Sequence, residues 1–457
     1  MPQTRRQQRL IDRDIWNQNT SQPICRLGPE LISEIFLHAR PDVFAMRNGA
    51  TWVELVRYLA SITSITGHLR RIALDYGELW SAVGFHVIGR QVDLNKRYKR
   101  VLIVIETFLE RARTCNLHFY FHDSYFHERY LAPSWFYPRL LALIMPRIEQ
   151  ARTIRVWAGS SWKQLCVILN NAVNVNNLSL IPSLPISSTP PLNVLLNLKE
   201  LTLSRIVYDE SFHEILKQVE KLDLTVVDTD LWKWLGSFVQ LKWLRIRDIN
   251  YTDADLTPPN FLVRLESLAY LGVSMRLYHS IAPQLSLPHL RHLSLHPCSD
   301  PRHEPQDCRH PLRTLCIKLD LQHVHLLPVV MNPQLEYLEI SQHLYGSELL
   351  TLLSELLNPS QSLTLPSGAT FPGPSLKYFR LIYSGVFYDT QYEAPLSERL
   401  ASILTKAPHL KLDVVARRSP PGFEGLMKQF PSQVKRYQRV YSVPLDELYE
   451  GSRKDNE

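Results

Sequence analysis

The segment LKELTL at residues 198–203 is one copy of a short pattern, apolar-x-x-apolar-x-apolar, that recurs along much of the chain. Clear copies are LKELTL from Leu198, VEKLDL from Val219, LKWLRI from Leu241, LAYLGV from Leu268, LRHLSL from Leu290, LRTLCI from Leu312 and LEYLEI from Leu335. Less regular copies are ARTIRV from Ala151, VNNLSL from Val175 and LKYFRL from Leu376. Successive copies between Ala151 and Leu335 begin 21 to 27 residues apart, so the chain contains an internal repeat.

The period of the repeat indicates an architecture. Leucine-rich repeats have roughly 20–29 residues and carry this spacing of apolar positions in a short strand. One unit cannot bury its own apolar face, so neighbouring units must stack around a shared core. Helical patterns such as ELLTLLSELL at 348–357 lie between strand patterns. We therefore predict an α/β fold in which a small all-α unit precedes an irregular leucine-rich-repeat solenoid, or horseshoe, with an extended surface for binding other proteins.

Composition restricts the class of protein. The 457 residues are 45% hydrophobic, which is ample for a large core. The first twenty or so residues are polar and arginine-rich, which predicts no signal peptide, and no apolar run is long enough for a membrane span. Six cysteines without dense spacing predict reduced thiols and a cytoplasmic or nuclear location. The net charge of +7 is a mild excess spread along the chain, so we expect no nucleic-acid or membrane partner.

Changes in pattern along the chain predict four regions. Residues 1–23 lack periodicity and are predicted to be a disordered arm, and residues 24–90 carry helical apolar stripes of a small bundle. Residues 91–420 hold the repeats, with an insertion near 341–375 where the period is broken. Pro420-Pro421 is predicted to end the array, which leaves 421–457 as a C-terminal tail.

The helical region resembles a known family. ICRLGPELISEIFLHARPD at 24–42, Arg71-Ile72-Ala73-Leu74, the Leu79-Trp80 pair and FLERARTCNLHFYF at 108–121 are similar to the F-box and F-box-like proteins, especially the expanded set of mushroom-forming fungi. The chain departs from that pattern at Gly28, where proline is usual, and at 66–70, where a Cys-Arg-x-Trp-Arg run is common. At motif level the resemblance covers about residues 24–120.

The resemblance implies a function. F-box domains dock on a Skp-family adaptor that links them to a cullin-RING ubiquitin ligase, and the repeats behind them hold the target protein. By this resemblance the adaptor-binding positions are Leu27, Pro29, Glu30, Leu31, Ile35 and Leu69. Two alternatives stay open: these positions simply close the bundle, or the chain is a repeat scaffold without ubiquitin coupling, whose helical unit caps the exposed end of the array.

Alternation along the repeat strands selects a second set of residues. Side chains that flank the leucines point to the opposite face of the sheet, and aromatic residues and arginine are enriched at protein interfaces. The predicted target-binding residues are Trp243, Arg245, Arg247, Tyr270, His292, His296, Lys318, Tyr337, Glu339, Tyr378 and Arg380. Cys316 occupies an equivalent position. The alternative is that a flanking helix or the C-terminal tail covers part of this face.

Chemical signatures are weak. His289, His292, His296, Cys298, His303, Cys308, His310 and Cys316 form the densest group of potential metal ligands. Only His292 and His296 have the close spacing typical of zinc sites, so we expect no metal. The sequence contains no nucleophile elbow, dinucleotide-binding glycine motif, phosphate loop or His-Glu-x-x-His pair. We expect a binding protein with no cofactor and no catalytic activity.

Overall fold

A computed structural model of the chain has a mixed α/β fold. It describes residues 23–41, 50–87, 94–123, 133–158, 162–182, 195–204, 217–225, 235–236, 238–247, 261–274, 277–278, 281–296, 312–319, 334–342, 353–354, 357, 375–383, 393–416 and 423–439. The chain divides into two compact units, Met1–Ile215 and Leu216–Glu457. Within the described ranges, no helix is long and apolar enough to cross a membrane.

Unit 1 begins with helices and continues with a parallel sheet. Its helices are α1 (Pro29–Ala39), α2 (Ala50–Ile65), α3 (Gly67–Asp75), α4 (Leu94–Ala112), α5 (Phe136–Ile144) and α6 (Trp162–Asn171). Its strands are β1 (Ala82–Val87), β2 (Leu117–Asp123), β3 (Ala151–Ala158), β4 (Asn177–Pro182) and β5 (Glu200–Leu203), which pair in sequence order. The sequence predicted only helices up to residue 90, but β1 is a strand of the sheet.

An aromatic core holds the helices of unit 1 together. The Phe108 ring of α4 lies 5.1 Å from Trp52 of α2 and 5.2 Å from Trp80, which follows α3. The Trp80 indole Nε1 donates a hydrogen bond of 2.7 Å to the carbonyl of Ala73, so the buried indole is satisfied. Thr66 caps α3 because its hydroxyl accepts the Leu69 backbone N–H at 3.1 Å. In addition, α2 contacts both α3 and β1, and α4 contacts β1, so the helices pack together against the first strand.

In the ranges that the structure describes, unit 2 contains a parallel sheet, a separate pair of short strands and two helices near the C-terminal end. The strands are β6 (Lys221–Leu224), β7 (Trp243–Ile246), β9 (Tyr270–Ser274), β11 (His292–His296), β12 (Thr314–Leu319), β13 (Tyr337–Gln342), β14 (Tyr378–Tyr383), β15 (Lys411–Ala416) and β16 (Val434–Arg439), paired in that order. β8 (Val263–Arg264) and β10 (Leu285–Ser286) form a separate parallel pair. The helices are α7 (Glu393–Lys406) and α8 (Phe423–Gln429).

The apolar positions of the repeat form continuous columns in unit 2. Leu222, Leu244, Leu271, Leu293, Leu315, Leu338, Phe379 and Leu412 occupy equivalent positions on successive strands, and each is at most 2% exposed. The backbone hydrogen bonds follow the same repeat. The Glu220 carbonyl accepts the N–H groups of Lys242 and Trp243, and the Lys242 carbonyl accepts those of Ala269 and Tyr270. Each copy of the pattern therefore contributes one strand of the buried sheet.

The C-terminal boundary differs from the prediction. Pro420-Pro421 was expected to end the array, yet α8 and β16 follow it, and β16 pairs with β15. The broken period near 341–375 lies in the connection between the neighbouring strands β13 and β14. Most of that connection, the predicted arm before Pro23 and residues 440–457 lie outside the described residues.

Candidate protein-interaction surfaces

The start of unit 1 exposes an apolar stripe, defined here as Ile24, Leu27, Leu31 and Ile35. Their exposed fractions are 37%, 37%, 58% and 42%. Leu31 and Ile35 are one turn apart on α1, while Ile32 and Phe36 on the adjacent face are buried. α1 thus uses one face for the core and leaves a second apolar face in solvent.

The local sequence explains where α1 begins. Pro29 is at the first helical position, where its missing N–H costs nothing, and Glu30 is in the first turn, where a negative charge favours the helix dipole. Both side chains are exposed beside the stripe. Gly28 is the N-cap in an extended conformation and offers no side-chain hydrogen bond. Five of the six predicted adaptor-binding residues therefore lie together on an accessible surface.

Leu69 is different. It is 2% exposed and packs in the core of unit 1, so its side chain is not available to a partner. Its position in the apolar stripe of α3 already favoured the core alternative. Ile24 was missed in the sequence, although it is an apolar residue three positions before Leu27 in a polar region.

Apart from Lys318, the predicted target-binding residues of unit 2 lie on the sheet face opposite the leucine columns. The first of two groups is named here the arginine–tryptophan cluster: Asp223, Trp243, Arg245, Arg247 and Tyr270. These residues lie on the adjacent strands β6, β7 and β9 or directly after β7. The rings of Trp243 and Tyr270 stack with centroids 4.9 Å apart and an interplanar angle of 10°.

Gly272 makes room for this stack. A Cβ at Gly272 would lie 3.2 Å from the Tyr270 ring and hydroxyl and 3.3 Å from Arg245. Tyr270 therefore lies across its own strand, and its hydroxyl hydrogen-bonds Ser294 of β11. Burial raises the pKa of Tyr270 to about 12, a shift that the hydrogen bond with Ser294 and the charge of Arg245 partly oppose. The ring is a fixed, neutral part of the surface at ordinary pH.

Asp223 organises the two arginines. Its Oδ2 accepts hydrogen bonds from Arg245 Nε at 3.2 Å and Nη2 at 2.5 Å, and also from Arg247 Nη2. The guanidinium of Arg245 also lies 5.2 Å from the centre of the Trp243 ring. Sequence reasoning did not select Asp223, although it occupies the position in its repeat that Arg245 occupies in the next, and the parallel register pairs such positions.

The second group is named here the acidic cluster: Tyr337, Glu339, Arg380 and Asp413 on β13, β14 and β15. Arg380 lies between two carboxylates, 3.8 Å from Glu339 and 3.4 Å from Asp413. The Tyr337 hydroxyl donates to Glu339 at 3.0 Å. Burial raises the pKa of Tyr337, as do Glu339 and Cys316. Burial lowers the pKa of Arg380, but Glu339, Tyr337 and Asp413 raise it by more, so the net shift is upward.

Glu339 therefore has a structural place in the acidic cluster. It is 3% exposed beneath Tyr337 and beside Arg380, which leaves little of it for a partner to touch. Asp413 was missed in the sequence because its copy of the pattern, after Leu410, is separated from the previous one by an irregular interval.

The remaining predicted residues are scattered along the same face. His292 and Tyr378 are exposed, and His296 is half-buried. The side chain of Lys318 lies outside the described residues. Cys316 is 8% exposed. Among the residues that the structure describes, no three His, Cys, Asp or Glu side chains converge on a possible metal site, while Cys298, His303, Cys308 and His310 are not among them.

Comparison with known proteins gives no further assignment: no protein-family model matches the chain, and no curated protein is significantly similar to it.

Proposed function

We propose that the chain is a non-catalytic substrate receptor of an SCF-type cullin-RING ubiquitin ligase. In this proposal the helical start of unit 1 is an F-box-like module that docks a Skp-family adaptor. The strand repeats form a leucine-rich-repeat solenoid whose polar face holds the target protein. The single observation that carries the proposal is the exposed apolar stripe at Ile24, Leu27, Leu31 and Ile35.

The stripe supports docking for an energetic reason. Burying an aliphatic side chain contributes about 1.5–3 kcal/mol, and α1 leaves two such side chains exposed one turn apart while its other face is fully packed. Contiguous exposed apolar surface of this kind marks an interaction site more often than single exposed residues do. The position of the stripe, at the residues that resemble the F-box opening, favours the adaptor as its partner.

A specific contact favours the second candidate, a repeat scaffold with a helical cap. Trp52 of α2 and Trp80 pack on Phe108, and α2 contacts β1, so the helices cover the first strand of the unit-1 sheet. A cap needs this covering contact but does not need an exposed stripe. Adaptor binding therefore discriminates between the two functions.

Calorimetry with a purified Skp-family adaptor tests the proposal. We expect wild-type chain to bind, and Leu31→Asp or Ile35→Asp to weaken binding at least ~30-fold, because each places a charge in an apolar interface. The matched control is Leu196→Asp, also in unit 1 and 70% exposed, which should bind like wild type. Wild-type chain that does not bind, or stripe variants that bind normally, would support the capped scaffold instead.

A further inference from the structure

The arginine–tryptophan cluster has more hydrogen-bond donors than acceptors. Each guanidinium offers five N–H donors, and Arg245 and Arg247 share the same oxygen of Asp223. Among the described residues, Nε of Arg247 has no hydrogen-bond partner. The two guanidinium groups therefore present more N–H donors than the one shared oxygen accepts.

The charges of the cluster are also unequal. Two guanidinium groups, the Lys221 ammonium at 5.2 Å from the centre of the Trp243 ring, and one carboxylate leave two net positive charges, while the neighbouring Lys242–Glu220 pair is balanced at 2.7 Å. The Arg245 and Arg247 side chains are 19% and 21% exposed, whereas Asp223 is 7% exposed. The positive groups are thus the part that solvent reaches, and partial burial keeps their charge less screened than that of a free surface arginine.

A pair of stacked aromatic rings lies directly beside these charges. Trp243 and Tyr270 are stacked and half-buried, and the Trp243 ring restrains the Arg245 guanidinium. Restrained side chains lose less conformational entropy when a partner binds. A partner that places a negative group on the arginines would bring its adjacent residue beside these two rings.

The acidic cluster on the same sheet has no positive excess. Arg380 lies between Glu339 and Asp413, and with Lys411 at the start of β15 the charges on β13, β14 and β15 balance. A negatively charged partner is therefore attracted more strongly to β6, β7 and β9 than to these strands.

From these observations we infer that the arginine–tryptophan cluster binds an acidic peptide segment of the target, with a carboxylate on Arg245 and Arg247 and an aromatic or aliphatic side chain on Trp243 and Tyr270. Arginine clusters recognise acidic motifs through charge-assisted hydrogen bonds. The excess of positive charge at Lys221, Arg245 and Arg247 attracts such a segment. The inference rests on the proposed receptor function and names its substrate class.

Selection from a displayed library of random short peptides on the full-length chain, without adaptor, tests it. We expect the selected peptides to be enriched in Asp and Glu next to an aromatic or aliphatic residue. Synthetic copies with Gln in place of Glu should bind at least ~10-fold more weakly. Failure to select any peptide, or selection of peptides without acidic residues, would overturn the inference, as would much tighter binding of synthetic copies that carry phosphoserine in place of Glu. Because the adaptor is absent, such a result is separate from failure of adaptor docking.

Three variants assign the binding to the cluster. Arg247→Gln should lower the affinity for the selected acidic peptide at least ~10-fold. Asp223→Asn should raise this affinity, because it removes the internal carboxylate that competes for the two arginines. Lys377→Gln makes the same charge change at an exposed position of unit 2 and should leave affinity unchanged. An equal loss of peptide affinity in Arg247→Gln and Lys377→Gln would show that binding depends only on overall charge, and it would overturn the inference. If Asp223→Asn proves unfolded by circular dichroism, the comparison of Arg247→Gln with Lys377→Gln decides.

Discussion

At the scale of single residues, Gly84 shows how closely β1 approaches β2. A Cβ at Gly84 would lie 2.0 Å from the carbonyl oxygen of Tyr120, which is well inside van der Waals contact and involves backbone that cannot rotate away. The pairing of Gly84 with Tyr120 is therefore compatible only with glycine. The residue fixes the first strand of the unit-1 sheet.

This close approach predicts a large effect of one methyl group. Gly84→Ala should lower the free energy of unfolding by more than about 3 kcal/mol, since β1 must separate from β2 to admit the Cβ. Gly425→Ala is the control: it is exposed in α8 with nothing within 4 Å of the added Cβ, so it should raise stability by about 0.5–1 kcal/mol. Urea unfolding followed by circular dichroism measures both, and a small effect of Gly84→Ala would contradict the β1–β2 register.

Residue pairs across strands were the part of the site that the sequence predicted least well. Alternation around the leucines correctly placed Trp243, Arg245 and Tyr270 on the polar face. It did not reveal that Asp223 lies between two arginines or that Glu339 is buried. Those contacts depend on the conformations of long side chains. Tyr270, for example, can extend over Gly272 only because glycine has no Cβ. The sequence pattern defines a face, whereas packing defines the contacts on it.

At the scale of elements, α8 and β16 complete the C-terminal end of unit 2. Gln433, between them, is 7% exposed, and its side-chain Nε2 donates to the carbonyls of Leu404 at 3.1 Å and Ala407 at 2.9 Å. Carbonyls at the end of a helix have no partner within the helix. Gln433 therefore satisfies the end of α7 from the next repeat.

The capping contact predicts the cost of removing one amide. Gln433→Ala should lower the free energy of unfolding by about 2–3 kcal/mol, because buried carbonyls lose their donor and a small cavity forms. Gln429→Ala, on the exposed surface of α8, should change stability by less than about 0.5 kcal/mol. Thermal and urea unfolding of the two variants side by side measure the difference. Equal stability of the two would mean that residues 423–439 do not pack as described.

The elements themselves were predictable to different degrees. The apolar-x-x-apolar-x-apolar pattern correctly predicted strands β3 to β7 and β9, β11, β12, β13 and β14, because each copy supplies the buried columns of the sheet. β1 was assigned to a helical region, since its few residues, Ala82–Val87, follow helices and carry no copy of the pattern. β16 was missed because Pro420-Pro421 was interpreted as the end of the repeats, whereas the two prolines lie in the connection between β15 and α8.

At the scale of the whole molecule, the proposed surfaces belong to different compact units. The apolar stripe is in unit 1, and both the arginine–tryptophan cluster and the acidic cluster are in unit 2. A receptor performs no chemistry of its own. It accelerates ubiquitin transfer by raising the effective concentration of the target near the ligase, which requires both surfaces on one chain. A capped scaffold, by contrast, needs only the surface of unit 2.

Reconstituted ubiquitin transfer therefore gives the most integrated prediction. The substrate is a reporter protein that carries the selected acidic peptide. Leu31→Asp and Arg247→Gln should each reduce the initial rate of ubiquitin transfer at least ~10-fold, because the first weakens binding to the adaptor and the second weakens binding to the reporter. The double variant should be slower than either single variant, since the losses at two distant, independent binding sites add in free energy. Leu196→Asp and Lys377→Gln should both keep the wild-type rate. Transfer that survives Leu31→Asp but is lost in Arg247→Gln would mean that the ligase reaches the target without the apolar stripe, and docking through α1 would then be wrong.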